Sequence, residues 1–194
     1  MKLSSKFQEA ITYAIELHAQ QTRKGTDVPY IAHLMSVCAL VLENGGAEEE
    51  AIAALLHDAI EDHADKNSHQ YILSNFGDRV LHIVEGCTEK QRIPKPPWKE
   101  RKVAYIEQIT NASKSVLLVA MADKLHNARC ILIDYEEVGE KIWDRFNGGK
   151  DGSLWYYRTL ADNFLKAEEG PKLLAIEFDK VIKELEQKPK DEID

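Results

Sequence analysis

An unbroken apolar run, Ala51 to Leu56, ends on His57 and Asp58, and Glu61 and Asp62 follow one helical turn later. A chain with this string must bury the run and still find company for four titratable side chains at its end. At about 3.6 residues per turn, His57 and Glu61 share one helix face, Asp58 and Asp62 share the neighbouring one, and all four fall within about 140° of arc. Three of the four are carboxylates. Gathering that much negative charge beside a buried face costs free energy unless a cation neutralises it, and a bound metal ion is the simplest candidate.

The remaining pattern is helical throughout. Ser5 and Gln8 have capping-box spacing, and the stripe Phe7, Ile11, Ala14, Leu17 predicts a first helix reaching about Gln21. Residues 22–29, TRKGTDVP, read as a loop; helical period returns from Tyr30 to Glu43 and stops at Gly45-Gly46. A third helix, opening on Glu48, Glu49 and Glu50, carries HDAIED. Short helices follow over 68–76 and 78–87, then an irregular stretch with Pro94, Pro96 and Pro97 that is a candidate lid. Helices over 98–111 and 114–133 come next. The second is almost continuously apolar from Val116 to Ala122 before Asp123, Lys124 and Asn127, which marks a central buried helix. After a turn-rich stretch with Gly148, Gly149 and Gly152, amphipathic helices over 153–168 and 171–187 finish the pattern. Sustained strand-type alternation is absent, so the expected class is all-α: a multi-helix bundle with a central metal site, one domain over residues 1–187, and a fraying charged tail over 188–194.

Composition excludes several classes. A net charge of −8 argues against broad affinity for nucleic acid, and no apolar run approaches the roughly 20 residues that cross a bilayer. The first residues, Met1 to Ser5, lead into helix without an apolar export segment, so a cytoplasmic location is expected. Cys38, Cys87 and Cys130 lack C-x-x-C spacing and read as buried core thiols. His18, His63, His69, His82 and His126 read as structural or exposed.

Four residues ending or interrupting apolar stretches on three different helices could ligate one ion: His33, His57, Asp58 and Asp123. Mixed imidazole and carboxylate donors suit a borderline divalent ion such as Mn²⁺, Fe²⁺ or Zn²⁺. Such an ion lowers the pKa of water and polarises a phosphoryl oxygen, and Glu61 and Asp62 are spaced to take the water's proton.

This H…HD…D order resembles the HD-domain phosphohydrolases. More narrowly, RKGTDVPYIAH at 23–33, HDAIED at 57–62 and ADKLHNAR at 122–129 resemble the hydrolase domain of the RelA/SpoT family in its small stand-alone form, over about residues 5–165. The resemblance implies one Mn²⁺ on His33, His57, Asp58 and Asp123. It also implies that Glu61 and Asp62 serve hydrolysis of guanosine tetraphosphate or pentaphosphate (ppGpp, pppGpp) to GDP or GTP and pyrophosphate. Carried over likewise, Arg23 stacks on the guanine, Lys24 meets phosphates, Asn127 bonds the sugar or phosphate, and Tyr156, within Trp155-Tyr156-Tyr157, contacts the nucleotide. Lys99, Arg101 and Lys150 are further candidates for phosphate charge. The departures are Thr26-Asp27-Val28 where Ser-Gly-Glu or Ser-Gly-Gln is usual, Leu34 for a proline, and Cys130 for a threonine. Substrate preference stays open accordingly: another phosphorylated nucleotide, such as the 2′-phosphate of NADPH or a nucleoside monophosphate, is one alternative, and a non-catalytic nucleotide sensor is another. Oligomeric state is not legible.

Overall fold

The computed structural model describes residues 2–63, 67–90 and 93–188. Its elements run α1 (Ser5–Leu17), α2 (Ile31–Glu43), α3 (Glu48–Leu56), α4 (Ala59–Asp62), α5 (Ser68–Phe76), α6 (Asp78–Cys87), α7 (Trp98–Thr110), α8 (Lys114–Val138), a 3-10 stretch over Gly139–Arg145, α9 (Gly149–Lys166) and α10 (Lys172–Gln187). Among the described residues no strand occurs, and one isolated antiparallel bridge joins Thr22 to Pro29. The all-α expectation holds.

Helix α8 is the axis. From Val116 to Asp123 every side chain is buried, a state reached by a helix with neighbours all round. Those neighbours include α2, α3, α6 and α10, while α1 closes over α3 and α7 over α9. Helix α2 turns its buried stripe, His33, Leu34, Val37, Cys38 and Val41, toward this centre. Glu50 locks the start of α3 to the start of α8: its carboxylate accepts the Ala47 N–H at 2.6 Å and the Ser115 hydroxyl at 2.6 Å.

Several boundaries differ from the sequence pattern for identifiable reasons. The cap of α1 is Ser4, whose hydroxyl accepts the Lys6 N–H, and the helix stops at Leu17 rather than Gln21 because the chain must enter the 22–29 loop. Helix α8 runs five residues past 133, to Val138. Helix α9 starts at Gly149, four residues earlier than the glycines suggested. At Gly148 a Cβ would lie 2.6 Å from Cη2 of Trp98, so the glycine permits close approach of α9 to the indole instead of ending the helix. Lys188 pairs with Glu136, and the rest of the expected tail, residues 189–194, lies outside the described residues.

The most consequential difference is at HDAIED. One continuous helix was expected, yet α3 ends at Leu56, and Asp58 flattens to φ −96°, ψ −4° before the single turn of α4. Neighbouring residues on a regular helix diverge by about 100°. The loosened turn brings His57 Nε2 within 3.1 Å of Asp58 Oδ2, which a regular helix would hold apart.

Phe178 of α10 is fully buried and packs against Phe164 with ring centroids 5.6 Å apart, on the side of α8 served by α9 and α10. Phe178→Ala is expected to cost about 3–5 kcal/mol, read as a lowered urea midpoint at an unchanged slope.

Candidate metal centre and adjoining cleft

His33 stands in the first turn of α2, His57 and Asp58 form the turn between α3 and α4, and Asp123 ends the apolar stretch of α8. One ligand atom from each of His33, His57 and Asp58 lies within 4.8 Å of the others. Asp123 Oδ1 joins them, 3.3 Å from His33 Nε2 and 3.6 Å from His57 Nε2. All four residues with the predicted ligand chemistry therefore converge.

The hydrogen bonds around them fix where the lone pairs point. His57 Nδ1 lies 2.8 Å from the Ala54 carbonyl, which can only accept, so Nδ1 carries a proton and Nε2 of the neutral ring is a bare acceptor. Both His33 Nε2 and His57 Nε2 are buried without a hydrogen-bond partner. Two such nitrogens facing two carboxylates need a positive charge between them. A proton can supply it: burial opposes charging of His57, but Asp58 and Asp123 outweigh burial and hold its pKa well above the ordinary histidine range. Burial likewise opposes ionisation of Asp58 and Asp123, yet His57 holds the first low and Lys124 the second. A divalent ion fits the same donor set, with nitrogen and oxygen ligands from three elements.

Side chains behind the cluster hold it in place. The Tyr30 hydroxyl donates to Asp58 Oδ2 at 2.6 Å, and Lys124 Nζ donates to Asp123 Oδ2 at 2.6 Å. His33 Nδ1 meets His126 Nδ1 at 2.8 Å. His126, expected from its sequence position to be structural or exposed, instead sits in the wall of the site. Burial and the neighbouring His33 lower its pKa to about 4, leaving it neutral. Sequence spacing could have found both partners: Tyr30 precedes His33 by three residues, and His126 follows Asp123 by three, the interval that shares a helix face.

A cleft of about 730 Å³ opens beside the cluster, lined by His33, Arg23, Lys24, Asn127, Asp62 and Tyr156 among others. Arg23 Nη2 donates to Asn127 Oδ1 at 2.6 Å and its guanidinium lies 5.7 Å from the Tyr30 ring centre; Asn127 in turn donates to Asp123. The Arg23 N–H bonds the Val28 carbonyl at 2.8 Å, and with the Thr22–Pro29 bridge this pins the 22–29 loop so that its cations face the cleft. Gly25, at φ +77°, lies where a Cβ would strike Arg145, itself 2.6 Å from Asp134. Tyr156 is 5% exposed and its hydroxyl is buried without a partner.

Not every expectation converges equally. Asp62 reaches the cleft wall and accepts from Gln21 at 2.8 Å, whereas Glu61 turns away to accept the Glu89 N–H at 3.2 Å. Burial, with Asp58 nearby, raises the Glu61 pKa. Arg101 lines the cleft, while Lys150 is occupied by Glu140 and Lys99 lies against Trp155. Cys130 is not a core thiol: it is half-buried in the cleft wall with Sγ 3.8 Å from His126, whereas Cys38 and Cys87 are buried as expected.

A family model for the HD domain matches residues 10–153. The chain is 39% identical to the Xenopus tropicalis guanosine-3′,5′-bis(diphosphate) 3′-pyrophosphohydrolase MESH1 over 124 residues, 62% of this chain and 66% of that protein. It is 33% identical to the Drosophila melanogaster MESH1 over 134 residues, 68% of this chain and 72% of that protein. Against the Aquifex aeolicus guanosine-3′,5′-bis(diphosphate) 3′-pyrophosphohydrolase, 33% identity extends over 72% of this chain but 20% of the longer protein. A solved structure described as a metazoan ortholog of SpoT that hydrolyzes ppGpp superposes with a TM-score of 0.75 at 26% identity, covering 95% of this chain and 97% of that one. The chain belongs to the HD-domain family, alongside relatives named guanosine-3′,5′-bis(diphosphate) 3′-pyrophosphohydrolase.

Proposed function

We propose that the protein hydrolyses guanosine 3′,5′-bis(diphosphate) and its pentaphosphate analogue to GDP or GTP and pyrophosphate, with residues 1–187 acting as one catalytic domain in the cytoplasm. The observation that carries this reading is the pair of buried, unpartnered imidazole nitrogens facing Asp58 and Asp123 at the edge of a cation-lined cleft. The names of the relatives support the choice of substrate. Among the described residues no helix is long and apolar enough to cross a membrane.

His33, His57, Asp58 and Asp123 would hold one divalent ion, with Mn²⁺ preferred over Fe²⁺ or Zn²⁺. When bound, it supplies Lewis-acid polarisation of a phosphoryl oxygen and a lowered pKa for water. In the reaction, water's oxygen bonds to the phosphorus attached to the 3′ oxygen, the P–O3′ bond breaks, and a proton reaches the departing 3′ oxygen. The Glu61–Asp62 pair takes the single proton that leaves the attacking water: Asp62 stands in the cleft wall, and Glu61 reaches the water by leaving the Glu89 N–H. Burial favours the protonated form of Glu61, which brings its basicity closer to that needed for proton transfer near neutral pH.

Nucleotide recognition falls to the pinned loop and to α8. Arg23, already steered by Asn127, offers a planar cation for the guanine face. Lys24, whose ammonium lies 5.9 Å from the Phe146 ring centre, is free of a carboxylate partner in the described structure and suits a phosphate. Asn127 bonds the sugar or a phosphate, and Tyr156 offers its unpartnered hydroxyl.

Incubation of the purified protein with guanosine tetraphosphate and Mn²⁺ is expected to release pyrophosphate; orthophosphate as the product, or no turnover with metal bound, rejects the assignment. Glu61→Gln is expected to lower kcat by about 100-fold or more, in line with the loss of a general base, while metal binding measured by calorimetry persists. Free metal at about 100 times its Kd should stabilise the fold by about 2.7 kcal/mol. For a chain of this size that is a rise in Tm of roughly 5–10 °C. The rise should vanish in Asp123→Ala.

A further inference from the structure

Helix α1 ends on Leu17, and the chain then folds back on itself. The Gln21 N–H donates to the His18 carbonyl at 3.0 Å, and the Gln21 carbonyl accepts the Tyr30 N–H at 2.9 Å. With both backbone groups engaged, the Gln21 side chain leaves from a fixed point. Its amide makes two contacts at once: the nitrogen donates to Asp62 Oδ2 at 2.8 Å, and the oxygen lies 2.7 Å from His18 Nδ1.

Those two contacts determine one another. An ionised carboxylate only accepts, so the amide must present Nε2 to Asp62 and Oε1 to His18. The amide oxygen only accepts in turn, which places a proton on His18 Nδ1. His18 is itself held on several sides. It is 3% exposed, its ring is stacked on that of Tyr30 with centroids 5.1 Å apart, and His63 Nε2 stands 3.3 Å from the same Nδ1. Its other nitrogen, Nε2, is buried with no hydrogen-bond partner in the described structure. The polar ties of the ring therefore run through Nδ1, toward Gln21.

Asp62 has need of such a hold. It ends the single turn of α4 and is exposed in the cleft wall, where an untied carboxylate samples several rotamers. The Gln21 bond occupies one of its two oxygens. An amide orients a carboxylate without neutralising it, which an ammonium would do.

We propose that Gln21 and His18 are positioning residues: the buried His18 ring holds the Gln21 amide, and the amide keeps Asp62 aimed into the cleft to take the water's proton. The proposal rests on the hydrolase reading above. The same ring backs Tyr30, whose hydroxyl holds Asp58, so one histidine at the end of α1 braces two acids of the HDAIED string.

Kinetics with guanosine tetraphosphate and Mn²⁺ test this through a split between kcat and KM. Gln21→Leu and Gln21→Met, which remove the amide, are each expected to lower kcat about tenfold, the cost of a proton acceptor that is present but misaimed. KM and the metal-induced rise in Tm should stay unchanged. His18→Leu should behave alike, whereas His18→Asn, whose amide N–H takes the place of Nδ1–H, should restore most of the rate. In an Asp62→Ala background, Gln21→Leu is expected to cost nothing further, because its effect passes through the acid. An unchanged kcat, a loss confined to KM, or a tenfold loss that persists on Asp62→Ala overturns the proposal. Thermal melts identify a glutamine variant that fails to fold, and the two His18 variants then decide. If the wild-type protein releases no pyrophosphate from guanosine tetraphosphate, the hydrolase reading fails separately. Nitrogen NMR of the His18 ring then decides the hold on Asp62 without turnover: a proton fixed on Nδ1 in the wild type and released by Asp62→Ala upholds it, and a ring indifferent to Asp62→Ala removes it.

Discussion

Two buried imidazole nitrogens face two carboxylates in the interior, and much of the fold serves to keep them there. Such a cluster is unfavourable to bury unless a positive charge joins it, and it cannot relax, because each member is tied from behind. The Ala54 carbonyl orients His57, His126 orients His33, Tyr30 restrains Asp58, and Lys124 restrains Asp123. The ties come from α8 itself, from α3, which packs against it, and from Tyr30, the residue that caps α2. The long apolar stretch of α8 therefore does more than fill the core: it fixes the depth at which Asp123 meets the two histidines.

The cleft extends the same electrostatic logic outward. In a chain with eight more acidic than basic residues, cations are gathered around one opening, and most of them are held by a carboxylate or by an aromatic face. A cation fixed in this way loses less conformational freedom on meeting an anion than one ranging through solvent. The neutral partners are arranged likewise. Asn127 accepts from Arg23 and donates to Asp123, joining the recognition loop to the cluster across a single side chain.

The helical framework was legible because α1, α2, α6 and α10 carry plain amphipathic stripes, and the ligand quartet was legible because each member interrupts an apolar run. Legibility failed where tertiary contacts decide local conformation. Nothing in HDAIED announces a break, since none of its residues is a helix breaker; the turn at Asp58 follows from the convergence it serves. The glycines at 148, 149 and 152 read as a turn, although two of them answer to the bulk of Trp98. Glu89 carried no sequence signal, because its partners lie twelve and thirteen residues away across the proline stretch. Cys130 looked apolar by position, and only the opening of the cleft beside α8 brings it to a wall.

Trp98 has a place in this arrangement beyond packing. It begins the helix that carries Arg101 and Lys102, and its indole rests on the bare backbone of Gly148 and Gly152. The separation between α7 and α9 is thereby gauged by two missing methyl groups. A side chain at either glycine would push the indole outward and carry the α7 cations with it, so the caliper of the opening is written in residues that touch no ligand.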